Sequence, residues 1–289
     1  MNINKAEERE ILLEILDIKK DILKMIYLAQ SGHPGGSLSC VNILYILYNK
    51  IMRINRTDPQ WSDRDILILS KGHAAPTLYA VLANVGFIGR EELFTLRKFG
   101  SNLQGHPVKN KNLGIEISTG SLGMGLSIGV GCALAAKLDK NEKKHIYIIL
   151  GDGELDQGAI WEAAMAASHY KLDNLIAIVD RNGIQSDGST EEIMALEPLA
   201  EKWKAFGWEV MEIDGANIEG MIQCLNKAKS IIRKPIVIIS YYIKGADISF
   251  MEHTRRYHGR PPNIEEYNIA IKELENIEKT IREGKSNNV

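Results

Sequence analysis

A chain of 289 residues has room for one large α/β domain or two small ones. Its 45% hydrophobic and 25% charged residues are the balance of a soluble globular protein with a core of useful size. A formal net charge of −2 gives no reason to expect nucleic acid or a membrane surface as a partner.

The chain opens on MNINKAEERE, polar and acidic and unlike a signal peptide. Glu8 to Leu28 places apolar residues at Ile11, Leu12, Ile15, Leu16, Ile18, Ile22, Leu23, Met25 and Ile26, mainly at helical spacing. Ser31-Gly32-His33-Pro34-Gly35-Gly36 stops that helix, and a second is expected to start near Ser37 or Ser39. After a polar loop from Asp58 to Asp65, Ile66–Leu69 reads as a short strand ending in Ser70-Lys71-Gly72-His73. A helix from Pro76 to Val85 follows, with Gly86 beyond its end. Gln104-Gly105-His106-Pro107 is a loop that presents a histidine, and Ser118 to Gly125 leads into a small-residue helix, Leu126 to Leu138. The glycines and alanines of that helix suit close packing, and a second subunit is one candidate for the surface they meet.

His145 to Gly188 is the most informative stretch. Ile146–Leu150 reads as a buried parallel strand, Gly158–Tyr170 as a helix and Leu175–Val179 as the next strand, making one βαβ unit. Beyond it, Thr190–Phe206 reads as helical, Trp208–Ile213 as a strand, Ile218–Ser230 as an amphipathic helix and Ile236–Ser240 as a buried strand. Lys244 to Gly259 is a loop carrying Lys244, His253 and His258. No repeat, low-complexity stretch or linker divides the chain. The expectation is a single domain over 1–289: a doubly wound, mainly parallel α/β sheet with helices on both faces, with 264–289 a C-terminal helix and frayed tail. Three widely spaced cysteines, Cys40, Cys132 and Cys224, form neither a disulfide framework nor a zinc pattern, so buried inert thiols in a reducing cytoplasm are expected. No apolar run has the length of a membrane span.

The chemistry gathers at strand ends. In open α/β sheets ligands bind outside the carboxyl ends of the strands. Asp152, in Gly151-Asp152-Gly153, and Asn182, in Asp180-Arg181-Asn182-Gly183, stand at two such ends. A carboxylate oxygen, an amide oxygen and a nearby main-chain carbonyl are hard ligands that suit Mg²⁺ or Ca²⁺, with diphosphate oxygens completing the shell. Gly151 and Gly153 leave space for a diphosphate to approach the backbone. Four loop histidines, His33, His73, His106 and His258, each lie beside Gly or Pro. Any one alone reads as a surface residue. Together they match no zinc spacing and suit a pocket where imidazoles hydrogen-bond a diphosphate and sugar hydroxyls and move protons near neutral pH.

Ser31-Gly32-His33-Pro34-Gly35, Ser70-Lys71-Gly72-His73, Gly105-His106-Pro107, Thr119-Gly120-Ser121-Leu122-Gly123, Gly151-Asp152-Gly153 with Asn182-Gly183-Ile184 after a 28-residue spacer, and His258-Gly259 occur in transketolase order. Over nearly its whole length the chain resembles the diphosphate-binding half of transketolase, in the form encoded as two separate subunits, and so implies the thiamine diphosphate-binding fold. The resemblance implies transfer of a two-carbon ketol unit between ketose and aldose phosphates through a thiamine diphosphate carbanion and enamine, as in the pentose phosphate pathway. It assigns Mg²⁺, with Ca²⁺ or Mn²⁺ as substitutes, to Asp152, Asn182 and the carbonyl of Ile184. It assigns the diphosphate to Gly153 and His73 with His258 close by, the thiamine path to Gly120, Ser121 and Leu122, and the ketose oxygens and proton transfers to His33, His106 and His258.

The pattern departs from the family at Gln157, where transketolases usually carry a glutamate linked to proton coupling between two active sites, and at Ser121, where proline is common. A neutral amide cannot carry that proton, so either Asp156 substitutes or the coupling differs. After His258 about one helix remains, with no segment for the glutamate that activates the aminopyrimidine. The resemblance therefore implies a partner subunit that supplies the pyrimidine-binding domain and that glutamate, in an α₂β₂ heterotetramer. The competing reading is a cofactor-binding subunit of another thiamine diphosphate enzyme, of the pyruvate dehydrogenase or deoxyxylulose-phosphate synthase type. A relative that binds the cofactor without catalysis is a third.

Overall fold

The computed structural model describes residues 3–141 and 143–284; the expected tail at 285–289 lies outside the described residues. Among the described residues the sheet has five strands: β1 (Ile66–Leu69), β2 (Ile146–Gly151), β3 (Leu175–Arg181), β4 (Glu209–Asp214) and β5 (Ile236–Tyr241). They pair in parallel in the order β1-β2-β3-β5-β4. Register fixes which ends meet: Leu69 pairs with Ile149, and Gly151 with Asp180. The carboxyl ends of β1, β2, β3 and β5 thus stand side by side.

The helices in chain order are α1 (Lys5–Ala29), α2 (Pro34–Leu38), α3 (Val41–Ile46), α4 (Ala75–Asn84), α5 (Met124–Leu138), α6 (Gly158–His169), α7 (Thr190–Ile193), α8 (Leu199–Ala205), α9 (Ile218–Ala228) and α10 (Ile264–Arg282). The period of two along each strand sorts side chains between the two faces. Leu67, Leu69, Tyr147, Ile149, Ile176, Ile178, Ile236 and Ile238 join one core with the buried stripes of α1, α3, α4 and α9. Ile68, Ile146, Ile148, Leu150, Ala177, Val179, Val237 and Ile239 join a second with α5, α6 and α8. Each fully buried Ile or Leu contributes about 1.5–3 kcal/mol relative to exposure. The expected doubly wound architecture is present.

Local chemistry sets the ends. The Asn4 side chain accepts from the amides of Ala6 and Glu7 and starts α1; an Asn263–Glu266 capping box starts α10. α10 packs back on α1, where Ala270 and Leu274 meet Leu16 and Leu23 and Tyr267 stacks on Tyr27 at 4.5 Å.

Three expectations are corrected, and α5 is clarified. The second helix begins at Pro34, not at Ser37 or Ser39, because proline fits the first helical turn, and it breaks before α3. Residues 190–206 form two short helices instead of one. Pro198 disfavours helical backbone at Glu197, and Glu191 and Glu197 turn their carboxylates onto Arg181. Two glycines of α5 pack on the chain itself: a Cβ on Gly129 would come within 2.5 Å of Ile148, and one on Gly125 within 2.3 Å of Ser70, while one on Gly131 would meet nothing within 4 Å. Of the three free cysteines only Cys40 is buried; Cys132 and Cys224 are half-buried. Among the described residues no helix is long and apolar enough to cross a membrane.

Candidate active site

The loops after four strands and the loop before α2 close around a cavity of about 260 Å³. β1 contributes Lys71 and His73, β2 contributes Gly151 to Glu154, β3 contributes Asn182, Ile184, Gln185 and Ser186, and the segment after β5 contributes Lys244 and His258. His33 enters as the N-cap residue of α2, held in place by the Gly35 amide bonded to the Tyr257 carbonyl at 3.0 Å. His106, Gly120 and Leu122 complete the wall. Gly120 has φ of 144° and packs against the His106 ring, where a Cβ would sit 3.1 Å away. Of the site residues expected from sequence, only Ser121 lies outside this wall, exposed next to it.

The imidazoles of His33, His73 and His258 form a triangle with ring centroids 5.1, 5.5 and 5.4 Å apart. Burial, reinforced by Arg97, lowers His33 to about 4. Burial and the Lys244 ammonium lower His258 to about 3, and burial with Lys71 holds His73 well below its ordinary value. All three are neutral at pH 7 and can accept or relay a proton. Lys244 Nζ lies 2.9 Å from His258 Nδ1. An ammonium only donates, so Nδ1 accepts and the ring hydrogen is on Nε2, 3.5 Å from Ser186 Oγ. His33 Nδ1 is buried without a partner.

Three residues of the same wall offer oxygens. Asp152 accepts from the Gly153 amide at 2.8 Å and the Gly183 amide at 2.6 Å. Asn182 Oδ1 accepts from the Ile184 amide at 3.2 Å, and the Ile184 carbonyl accepts from Lys244 Nζ at 2.6 Å. Burial, with Asp180 next, raises the Asp152 carboxyl, so this acid is short of positive charge; Arg181 reaches it only at 3.4 Å. A carboxylate, a carboxamide and a carbonyl are donors suited to Mg²⁺. Among the described residues no cluster of three or more His, Cys, Asp or Glu could hold a metal, so a cation here would draw on the carboxamide and carbonyl oxygens as well as the one carboxylate.

Sequence reasoning left Lys71, Lys244 and Glu154 out of the site. Glu154 is buried and accepts from the amides of Gly123 at 2.8 Å and Gly151 at 3.0 Å and from Ser70 Oγ, tying three loops of the wall together. Both Lys71, inside Ser-Lys-Gly-His, and Glu154, directly after Gly-Asp-Gly, carried a positional signal. His253 has no place in the cavity wall. Asp156 bonds Gln185 at 3.0 Å, while Gln157 is exposed at the start of α6.

A parallel sheet whose adjacent tips carry Gly-Asp-Gly, Asn and a histidine triangle defines the thiamine diphosphate-binding class. The family model described as "Transketolase, thiamine diphosphate binding domain" matches residues 16–276, and the chain belongs to the transketolase family. It is 46% identical over 267 residues to one of the subunits of apulose-4-phosphate transketolase from Phocaeicola vulgatus, covering 92% of this chain and 94% of that one. It is 45% identical to the 6-deoxy-6-sulfo-D-fructose transketolase subunit SqwG of a Clostridium species, covering 89% and 94%. Against human transketolase the identity is 40%, covering 81% of this chain and 37% of the human one. A transketolase variant from Pichia stipitis, in complex with fructose 6-phosphate, superposes with a TM-score of 0.82 at 29% identity, over 94% of this chain and 45% of that one.

Proposed function

We propose that this chain is the diphosphate-binding subunit of a two-chain transketolase, moving a two-carbon ketol unit between ketose and aldose phosphates. The observation that carries this is the neutral His33–His73–His258 triangle in one cavity with the oxygens of Asp152, Asn182 and Ile184. Thiamine diphosphate, when bound, supplies the nucleophilic carbon and electron sink for carbon–carbon cleavage. Asp152, Asn182 and the Ile184 carbonyl would hold Mg²⁺, and His73, Gly153 and Lys244 would face the diphosphate. Gly120 and Leu122 would border the thiamine. His33, His106 and His258 would bind the ketose oxygens, with neutral ring nitrogens that take a proton from one hydroxyl and return it to another. Ser121, outside the wall, would act through its backbone beside Gly120.

We further propose a partner of similar size, in an α₂β₂ assembly, that supplies the pyrimidine-binding domain and the activating glutamate. Relatives that this chain matches over nearly their whole length are named as subunits of transketolases, which supports a partner. The family and the unpaired thiols support a cytoplasmic setting. The test is to assay the chain alone, and then co-purified with the product of the neighbouring gene, using xylulose 5-phosphate and ribose 5-phosphate. The pair should turn over and the lone chain should not. Robust activity of the lone chain, or pyruvate consumption by the pair in place of ketol transfer, would overturn this reading.

A further inference from the structure

Asp180, one residue before the end of β3, has no exposed surface and no place in the cavity wall. Its Oδ2 accepts from Ser39 Oγ at 2.7 Å, from Asn182 Nδ2 at 3.0 Å and from Lys71 Nζ. Its Oδ1 is buried without a partner. Lys71 is likewise fully buried, but it lines the cavity and also donates to the Gly36 carbonyl at 2.9 Å. One carboxylate therefore meets both a cation and a carboxamide of the site. Because a carboxylate only accepts, the Asn182 amide group is turned to Asp180, and its Oδ1, which accepts from the Ile184 amide at 3.2 Å, keeps its second lone pair for the cavity. Because the pair is buried, its charges cancel locally, and a buried pair of this kind is weak evidence for stability alone.

We propose that Asp180 is a positioning residue that makes capture of the diphosphate depend on a divalent cation. It neutralises Lys71, which would otherwise pair with the diphosphate directly, and it fixes the Asn182 oxygen where a cation needs it. This rests on the thiamine diphosphate reading above. It goes beyond that reading by assigning the metal requirement to a residue that touches neither metal nor cofactor.

The test is calorimetric titration of thiamine diphosphate into the chain co-purified with its partner, in Mg²⁺ and in EDTA. Wild type should bind in Mg²⁺ and far more weakly in EDTA; no binding in Mg²⁺ would overturn the functional reading itself. In Asp180→Asn, affinity in Mg²⁺ should fall about 10-fold or more, the scale of lost support around a metal ligand. Its affinity in EDTA should rise severalfold as Lys71 is released. The double variant Lys71→Met/Asp180→Asn, which removes both charges of the pair, should lose affinity in Mg²⁺ to the same extent without any gain in EDTA. It decides the matter if the single variant does not fold. Wild-type affinity in Mg²⁺ for either variant, or equal losses in both media for Asp180→Asn, would overturn the proposal.

Discussion

Lys244 Nζ donates to the Ile184 carbonyl at 2.6 Å, the same oxygen that the family pattern gives to the metal. A cation already satisfies the backbone at this point of the cavity wall. The same ammonium holds His258 Nδ1 at 2.9 Å, so it links the Asp152–Asn182–Ile184 corner of the site to the histidine triangle. Burial, with Lys71 nearby, lowers Lys244 to about 8.

Lys244→Met keeps the apolar stem and removes the charge. Thiamine diphosphate affinity should fall about tenfold or more, the scale of one charge-assisted hydrogen bond. In wild type the ammonium is lost as pH rises through about 8, so affinity should decline on that alkaline limb. The variant should lack the limb. Unchanged affinity at pH 7, or an unaltered alkaline limb, would remove Lys244 from the diphosphate wall.

Acid stability should report the histidine triangle. In the unfolded chain each imidazole takes a proton near pH 6.5. In the fold His33 waits until about pH 4 and His258 until about pH 3. Between these limits the unfolded state binds more protons, so stability falls as pH falls from about 6.5 towards 4. Thermal melts across that window should show a declining Tm, and His33→Asn should flatten the decline. A decline as steep in His33→Asn as in wild type would contradict the neutral, buried assignment.

Glu154 predicts a structural loss with a functional echo. Glu154→Ala leaves the amides of Gly123 and Gly151 and the Ser70 hydroxyl without their acceptor. Buried donors stranded in this way cost about 1–3 kcal/mol each. Melting should fall clearly for Ala and less for Glu154→Gln, which keeps one acceptor. An equal melt for wild type and Ala would show that these loops hold without the carboxylate.

His33→Ala should separate binding from turnover. Its Nδ1 is buried without a partner in the cavity, and the Gly35–Tyr257 bond fixes its backbone. Loss of a positioned acid–base group costs about 10²–10⁴ in rate. The assembled enzyme should lose kcat on that scale and keep cofactor affinity within a few-fold. The reverse pattern would move His33 to the diphosphate.

What the sequence made legible follows from what repeats along it. Ile66–Leu69, Leu175–Val179 and Ile236–Ser240 are apolar runs ended by polar or glycine-rich turns, so the strands and the loops beyond them could be read directly. Asp152 and Asn182 followed, because strand ends in such sheets converge. Arg181 breaks that simplicity: its bonds to Thr190 at 2.6 Å and to Glu191 and Glu197 at 3.0 Å pull residues 190–198 out of a continuous helix, a long-range effect with no local period. The role of Lys71 beside Asp180 was opaque for a related reason. Its meaning lies in a pairing across 109 positions of sequence, which appears only when β1 and β3 are brought to one end of the sheet.

The most direct test of a cation-bridged diphosphate between these strand tips is titration of thiamine diphosphate into the assembled enzyme, wild type against Asp152→Ala, with and without Mg²⁺. Wild type should bind tightly only with Mg²⁺, and the variant should bind weakly and to the same extent under both conditions. Tight, Mg²⁺-dependent binding by Asp152→Ala would contradict the account.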